Sequence, residues 1–383
     1  MQAGAQTPAL PTLRQGKRIV VKIGSALLVD EPTGDVRRAW LDALADDVAD
    51  ARAAGQHVVI VSSGAIALGR RHLGLQPRGI GRGLRLEESQ AAAATGQIRL
   101  AHAYQEAHAR HGITVAQLLL TLEDTEDRRR HLNARATIDQ LLALRAVPVI
   151  NENDTVATAE IRFGDNDRLA ARVAQMASAD TLVLLSDIDG LYSANPKVDH
   201  AARHVPLVEE LTPEILAMAG EALPGFSKGG MVTKLAAARI ALAAGCRMVI
   251  ADGHRPRPLA RLAAGERCTW FLPPAEPMTA RKRWIAGSVQ PAGALVLDGG
   301  AIGALGSGKS LLPAGVTGAE GGFARGDCVL LKAPDGRVVG RGLVAYDAED
   351  ARRILRRRSA EIETILGYRG REEIVHRDDL VLE

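Results

Sequence analysis

The regular alternation of apolar runs and helical patterns most constrains how this chain of 383 residues can fold. Short runs of β-branched and aliphatic residues, each typical of a buried strand, occur at 18–23, 57–61, 113–120, 147–151, 181–185 and 247–251. The segments between them have helical spacing, as at 36–54 and 86–110. Such alternation predicts an α/β fold with an open, mostly parallel sheet sandwiched by helices.

The segment that follows the fourth apolar run carries the strongest indication of function. Residues 150–167 contain three Asn, three Asp and two Glu, and a helical pattern begins at 168. Asn and Asp favour turns and helix caps for local reasons, which accounts for Asn166 or Asp167 but not for eight polar positions. Because open α/β sheets bind ligands at the carboxyl ends of their strands, this loop is predicted to bind a polar ligand. The alternating stretch 155–163 is predicted to form a small hairpin.

Composition argues against several classes of protein. A net charge of +3 with interspersed acids and bases does not indicate a dedicated nucleic-acid binder. The three cysteines form no CxxC pair, so they suggest neither a disulfide framework nor a zinc site. No apolar run approaches membrane-spanning length, and residues 1–16 lack the apolar core of a signal peptide. We therefore expect a cytoplasmic protein without membrane contact.

A change of pattern near Pro273–Pro274 predicts a second, smaller domain. Short strand-like runs with glycine-rich turns follow at 294–298, 328–332 and 338–346. The predicted divisions are an N-terminal tail (1–16), an α/β domain (17–275), a linker (276–290), a β-rich domain (291–371) and a C-terminal tail (372–383).

Three glycine-containing segments predict an anion-binding crevice. Lys22 and Gly24 end the first strand, and Ser63–Gly64 follow the second strand at the start of a helix. Glycine permits close backbone approach to an anion, and lysine supplies a point charge. Lys234 lies in the first turn of a helix after a glycine-rich loop. The helix dipole disfavours a cation there by roughly a few tenths of a kcal/mol, unless an anion such as phosphate is bound nearby.

A second phosphate-binding motif is present but lacks the required context. Residues 303–310 match the P-loop pattern G-x4-G-K-S in full. That motif needs a long helix directly after the loop, whereas Pro313 and Gly315 make such a helix unfavourable here. We therefore expect Lys309 to be a surface residue without a role in nucleotide binding.

Seven motifs, in chain order, resemble the glutamate 5-kinases of the amino acid kinase family, which carry a C-terminal PUA domain. They are VVKIGS at 20–25, SSGAIALG at 62–69, PVINEND at 148–154, GDND at 164–167, DGLY at 189–192, GGMVTK at 229–234 and RKRWI at 281–285. The resemblance runs from about residue 18 to the end. It implies the amino acid kinase fold together with a small β-rich PUA domain.

The resemblance also implies an activity and its partners. The activity is ATP-dependent phosphorylation of the γ-carboxylate of L-glutamate to L-glutamyl 5-phosphate, the first step of proline biosynthesis, with Mg²⁺ as cofactor. Proline is the expected inhibitor, and a homo-oligomer, either a dimer or a tetramer, is expected. RNA binding by the PUA domain is unproven.

Functional residues carried over from the resemblance fall into three groups. Lys22 and Lys234 would flank the transferring phosphoryl group. ATP would contact Lys22, Ser186, Asp187, Lys228, Gly229, Gly230, Met231, Val232, Thr233 and Lys234. Glutamate would contact Ser63, Asn151, Asp154, Asp165 and Asn166, and Asp165 or Asp167 would hold Mg²⁺, with Asp167 preferred. Lys228 departs from the family, which usually has Thr there, and Ala170 replaces a more usual Ser.

Two alternatives are open on the sequence alone. The chain could be another carboxylate kinase of the family, specific for aspartate or acetylglutamate. It could also be a PUA-type RNA-binding protein, although residues 279–383 carry 16 basic against 14 acidic residues and few aromatics that could stack on bases.

Overall fold

The computed structural model describes residues 10–30, 32–75, 84–156, 166–220, 230–273 and 291–382. The chain divides into two compact units. The first comprises residues 1–126 and 133–277, and the second comprises 127–132 and 278–383. Each unit is described separately below.

The first unit alternates strands and helices along most of its length. Its strands are β1 (Arg18–Ile23), β2 (His57–Ser62), β3 (Val115–Leu120), β4 (Val147–Glu152), β5 (Thr181–Ser186), β6 (Leu191–Tyr192), β7 (His204–Val205), β8 (Leu207–Val208), β9 (Arg247–Asp252) and β10 (Cys268–Phe271). The helices are α1 (Ser25–Leu28), α2 (Arg38–Ala53), α3 (Ala65–His72), α4 (Leu86–Ala109), α5 (Leu122–Glu126), α6 (Arg128–Ala143), α7 (Asn166–Met176), α8 (Pro213–Ala217), α9 (Met231–Ala243) and α10 (Pro258–Ala263). Residues 128–132 of α6 belong to the second unit.

Eight of these strands form one open sheet in the order β3-β4-β2-β1-β5-β9-β10-β8. The six strands from β3 to β9 in this order are parallel, β10 is antiparallel to β9, and β8 is parallel to β10. The prediction of an open, mostly parallel sheet is therefore confirmed. The short β10 was missed because a four-residue run carries little periodic signal.

Helices cover both faces of this sheet. Along β1, Val21 belongs to the hydrophobic cluster that contains Leu41 and Leu44 of α2, whereas Val20 belongs to the cluster that contains residues of α7 and α9. Successive side chains of a strand point to opposite faces, so β1 contributes to both halves of the core. This double burial explains why the central strands are apolar throughout their length.

Helices α3 and α4 approach each other at backbone distance. A Cβ atom added to Gly69 of α3 would lie 1.7 Å from the carbonyl oxygen of Ala92, and one added to Gly96 of α4 would lie 1.8 Å from that of Ala65. Gly64, which precedes α3, has a φ of 109°, a conformation that favours glycine. The glycines therefore place α4 directly against α3, the helix that follows the carboxyl end of β2.

The second unit is built on a five-stranded sheet in the order β12-β11-β13-β14-β15. The strands are β11 (Gly293–Leu297), β12 (Val316–Gly321), β13 (Cys328–Lys332), β14 (Val338–Leu343) and β15 (Leu380–Leu382), and the helices are α11 (Gly299–Gly306), α12 (Ala348–Arg353) and α13 (Ile362–Leu366). Its own hydrophobic core includes Leu295, Leu331 and Tyr346. The prediction of a small β-rich domain is confirmed.

Two segments predicted as tails take part in packing. Leu13 is buried within a 3-10 turn at 13–15. Leu380 is also buried, and β15 pairs with β14. Both segments are short, so the sequence pattern gave no indication that they pack. Most of the predicted hairpin (155–163) and the whole predicted linker lie outside the described residues.

The P-loop-like segment has the wrong local structure for phosphate binding. Gly303 and Gly306 belong to the last turns of α11, so the motif ends a helix instead of preceding one. Lys309 is exposed, and a single 3-10 turn at Pro313–Gly315 follows.

Among the helices of the described residues, none is long and apolar enough to cross a membrane.

The contact between α3 and α4 predicts a large difference between two Gly→Ala substitutions. Gly69→Ala should lower the free energy of unfolding by about 2 kcal/mol or more, because the new methyl group overlaps a backbone carbonyl. Gly303→Ala is the control: this helical glycine has nothing within 4 Å of its Cβ position, so alanine should be neutral or stabilising by up to about 1 kcal/mol. Urea unfolding, followed by far-UV circular dichroism, measures both. Equal stabilities of the two variants would contradict this close approach.

Candidate active site

The arrangement of the sheet creates a crevice at the carboxyl end of β1. The chain passes from β1 to β2 on one side, while β5 lies on the other side of β1. Where neighbouring parallel strands are connected in opposite directions, the connecting segments diverge and leave a crevice at the carboxyl ends of the strands. Ligands of open α/β proteins bind in such crevices. Lys22, Ser62 and Ser186 lie at or next to the ends of these three strands.

A buried carboxylate at this edge binds two lysines. Asp167, the second residue of α7, has no solvent exposure. Its Oδ1 lies 2.7 Å from Nζ of Lys22, and its Oδ2 lies 3.2 Å from Nζ of Lys234. Thr233 Oγ1 donates a hydrogen bond of 2.9 Å to the same Oδ2. One carboxylate thus holds together side chains from β1 and α9.

The electrostatics of this cluster favour an ionised Asp167. Burial raises the pKa of Asp167, but the charges of Lys22 and Lys234 and the hydrogen bonds from Lys22 and Thr233 outweigh this effect and lower the pKa below its usual value. Asp167 contacts both ammonium groups, and the charge of Lys234 also acts on Asp187. An anion bound next to Lys22 and Lys234 would be stabilised by both cations.

The start of α9 adds backbone donors next to the two lysines. Gly230 is the N-cap of α9, and no acidic side chain occurs in its first turn. The first N–H groups of a helix have no partners within the helix and are suited to bind phosphate. Lys234 is only 5% exposed, in the turn where the helix dipole alone would disfavour it. The pairing with Asp167 offsets that cost.

A cluster of amide and hydroxyl groups lies next to the lysines. Asn166 immediately precedes Asp167, and its Nδ2 lies 2.6 Å from Ser63 Oγ, 3.2 Å from the carbonyl oxygen of Ser62 and 3.3 Å from Asn151 Oδ1. The structure thereby brings together three of the predicted glutamate-binding residues, which come from the ends of β2 and β4 and the start of α7.

Asp154 is the fourth predicted substrate residue in the described part of the chain. Its side chain is half-buried and makes no hydrogen bond or ion pair with any other described residue. Burial raises the pKa of Asp154 to about 6. A ligand with a positive charge would therefore find an uncompensated carboxylate at this position.

The predicted nucleotide-binding residues in the described part of the chain lie mainly at the end of β5 and at the start of α9. Ser186 ends β5 and its hydroxyl donates a 3.1 Å hydrogen bond to Asp187 Oδ1, while Lys197 lies 3.5 Å from Oδ2. Burial raises the pKa of Asp187, but these contacts outweigh it and lower the pKa. Met231 and Val232 form the first turn of α9. Three predicted site residues, Asp165, Lys228 and Gly229, lie outside the described residues.

Two residues of α4 that the sequence did not indicate also contact this site. Gln97 Oε1 accepts a 2.8 Å hydrogen bond from Asn151 Nδ2, and Tyr104 OH donates one of 2.9 Å to Ser62 Oγ. Neither residue lies in a recognisable motif. Their spacing of seven residues, which places them on one helix face, was the only available signal.

Comparison with known proteins identifies the family to which the chain belongs. Residues 17–252 match the amino acid kinase family, and residues 293–366 match the PUA domain. Glutamate 5-kinase of Paramagnetospirillum magneticum is 65% identical over 97% of this chain and 99% of its own length. The corresponding values for glutamate 5-kinase of Bradyrhizobium sp. are 61%, 98% and 98%.

Among solved structures, carbamate kinase from Giardia lamblia bound to AMP-PNP covers 68% of this chain and 99% of its own, at 17% identity and a TM-score of 0.47. This similarity is too low to support a functional argument. The family match and the near full-length relatives are sufficient: the chain belongs to the amino acid kinase family and, within it, to the glutamate 5-kinases.

Proposed function

We propose that this protein transfers the terminal phosphoryl group of ATP to the γ-carboxylate of L-glutamate, which gives L-glutamyl 5-phosphate for proline biosynthesis. The observation that carries the proposal is the adjacency of Asn166 and Asp167: one residue joins the amide cluster and the next holds two lysines. An amino-acid subsite and a phosphate subsite therefore meet within one turn of α7. The near full-length glutamate 5-kinase relatives support glutamate as the acceptor.

The chemistry requires alignment and charge compensation more than proton transfer. A carboxylate is already a nucleophile, so no strong general base is needed. Negative charge on the transferring phosphoryl group must instead be neutralised and its oxygens held in line. Lys22, Lys234 and the first N–H groups of α9 supply fixed positive charge and dipoles for this purpose.

Asp167 holds the two lysines in this proposal and does not bind Mg²⁺. Both of its oxygens contact lysine ammonium groups, which leaves the carboxylate poorly suited to a second cation. The described residues contain no group of three or more His, Cys, Asp or Glu side chains that could hold a metal ion. We propose that Mg²⁺ is bound mainly through the phosphates of ATP, as is common for this ion.

The amino-acid subsite comprises Ser63, Asn151, Asp154 and Asn166. Asp154 would pair with the ammonium group of glutamate, because its carboxylate has no cationic partner among the described residues. The amides and the hydroxyl would orient the rest of the substrate. A contact from Asp165, nucleotide contacts from residues 228–229, inhibition by proline and assembly into a dimer or tetramer remain predictions from the family resemblance.

Product formation provides the direct test of the reaction. Purified protein with ATP and Mg²⁺ should release ADP only when glutamate is added, and hydroxylamine should trap the acyl phosphate as a hydroxamate. Aspartate and N-acetylglutamate are the controls, because they are the acceptors of the alternative carboxylate kinases. Faster turnover with either control than with glutamate would refute the proposed substrate.

Removal of either active-site lysine should nearly abolish turnover. Lys22→Met and Lys234→Met keep most of the side-chain volume but remove a cation that stabilises transition-state charge, an effect of about 3 kcal/mol or about 10²-fold in kcat. Lys309→Met is the matched control in the P-loop-like segment, where the side chain is exposed. Its kcat and its KM for ATP should equal those of the unmodified protein. An inactive Lys309 variant beside active Lys22 and Lys234 variants would reverse the assignment.

The raised pKa of Asp154 predicts how glutamate binding depends on pH. Asp154 must be ionised to pair with an ammonium group, and its pKa of about 6 means that it becomes protonated as the pH falls through this value. KM for glutamate should therefore be constant above about pH 7 and rise by about tenfold between pH 7 and pH 5. Asp154→Asn should raise KM at every pH and remove this dependence, with little change in KM for ATP. Identical pH profiles for the two proteins would contradict this role.

A further inference from the structure

Helix α4 presents two polar side chains to the amide cluster. Gln97 and Tyr104 are separated by seven residues, or two helical turns, and therefore lie on the same face of α4. The same helix also contributes Leu100 and Ala103 to the hydrophobic core, so this face is packed against the body of the first unit.

Tyr104 is linked to the cluster through Ser62. The phenol is fully buried and donates its hydrogen bond to Ser62 Oγ, which is also fully buried. The Ser62 hydroxyl in turn donates to the carbonyl oxygen of Ser63 at 3.1 Å. Ser63 Oγ and the carbonyl oxygen of Ser62 are the groups that Asn166 Nδ2 contacts. The Tyr104 hydroxyl group therefore orients both serines from the side of the cluster that faces α4.

Gln97 is linked to the cluster through Asn151. Asn151 is 2% exposed, and its Nδ2 donates to Gln97 Oε1. With the amide nitrogen held in this way, Asn151 Oδ1 accepts hydrogen bonds from the backbone of Glu152 at 2.9 Å and from Asn166 at 3.3 Å. An amide group held at its nitrogen cannot rotate freely, so Gln97 determines which atom of Asn151 faces Asn166.

The position of α4 is itself fixed by backbone contact. Gly96 precedes Gln97 and lies against Ala65, which is two residues beyond Ser63. A shift of α4 would therefore also displace the start of α3. The two side chains act from a rigid support, which is the arrangement that precise substrate positioning requires.

We infer that Tyr104 and Gln97 are positioning residues of the amino-acid subsite, which determine the affinity for glutamate through Ser62–Ser63 and Asn151 without contacting the substrate. The inference rests on the proposed function and extends it to a helix outside the recognised motifs. A purely structural role for the two side chains would instead lower stability and leave the kinetic constants for glutamate unchanged.

Two substitutions test the inference, each with a matched control. Tyr104→Phe removes only the hydroxyl group, and Tyr346→Phe does the same to a buried tyrosine of the second unit whose hydroxyl donates to the carbonyl oxygen of Arg371. Gln97→Met removes the acceptor for Asn151, and Gln105→Met makes the same change at an exposed position of α4.

KM for glutamate should rise about tenfold in Tyr104→Phe and in Gln97→Met, because each leaves one hydrogen bond of the cluster unmade. KM for ATP should stay within about twofold, and kcat should fall less than KM rises. Both controls should retain the unmodified KM for glutamate, even where Tyr346→Phe lowers the melting temperature as much as Tyr104→Phe does.

A double-mutant cycle shows whether Tyr104 affects KM for glutamate through Ser62. If the phenol acts through Ser62, combining Tyr104→Phe with Ser62→Ala should raise KM no further than the larger single effect. If the two substitutions instead raise KM independently, so that their effects multiply, Tyr104 does not act through Ser62. If Tyr104→Phe does not fold, Gln97→Met and Ser62→Ala still test the inference. Each should raise KM for glutamate and leave KM for ATP unchanged.

The outcomes also separate this inference from the proposed function. If the unmodified protein phosphorylates glutamate while both variants keep its KM, the inference is wrong and the proposed function stands. If the unmodified protein does not phosphorylate glutamate, both are wrong.

Discussion

The buried carboxylate of Asp167 is the interaction on which the arrangement of this site depends. Three charged side chains with exposures of 0%, 5% and 9% would be costly to bury separately. They are tolerated together because Asp167 contacts both lysines and also accepts a hydrogen bond from Thr233. Replacement by apolar residues would often be neutral or stabilising, so stability alone gives little reason for such a cluster. Two lysines held next to the start of α9 instead suit a site that binds a highly charged anion.

The glycine contacts between α3 and α4 serve the other half of the site. They bring α4 close enough for Gln97 and Tyr104 to reach the ends of β4 and β2. A wider separation of the helices would place side chains or water between them, and the amide cluster would lose its support. Both subsites therefore depend on precise packing at the carboxyl edge of the sheet.

Much of the first unit could be predicted from sequence because its central strands are buried on both faces and read as continuous apolar runs. Strands β1, β5 and β9 begin where the pattern placed them. The side-chain pairings could not be predicted in this way. The ion pairs of Asp167 join residues 145 and 67 positions apart, and the bond between Gln97 and Asn151 spans 54 positions. Local pattern carries no information on such contacts. For the same reason, the sequence alone suggested Mg²⁺ as the partner of Asp167, whereas its contacts support the proposal that it holds the two lysines.

The adjacency of Asn166 and Asp167 also explains how one short segment can serve both substrates. Consecutive Cα atoms are about 3.8 Å apart, and successive side chains of a helix diverge by about 100°. One residue can therefore join the amide cluster while the next holds the lysines, with little backbone length between them. Phosphoryl transfer needs the reacting atoms about 3–3.5 Å apart, so any flexible connection between the subsites would reduce the fraction of aligned complexes. Placing both residues in the first turn of one helix removes that freedom, because the helical backbone of α7 fixes the relative orientation of the two side chains.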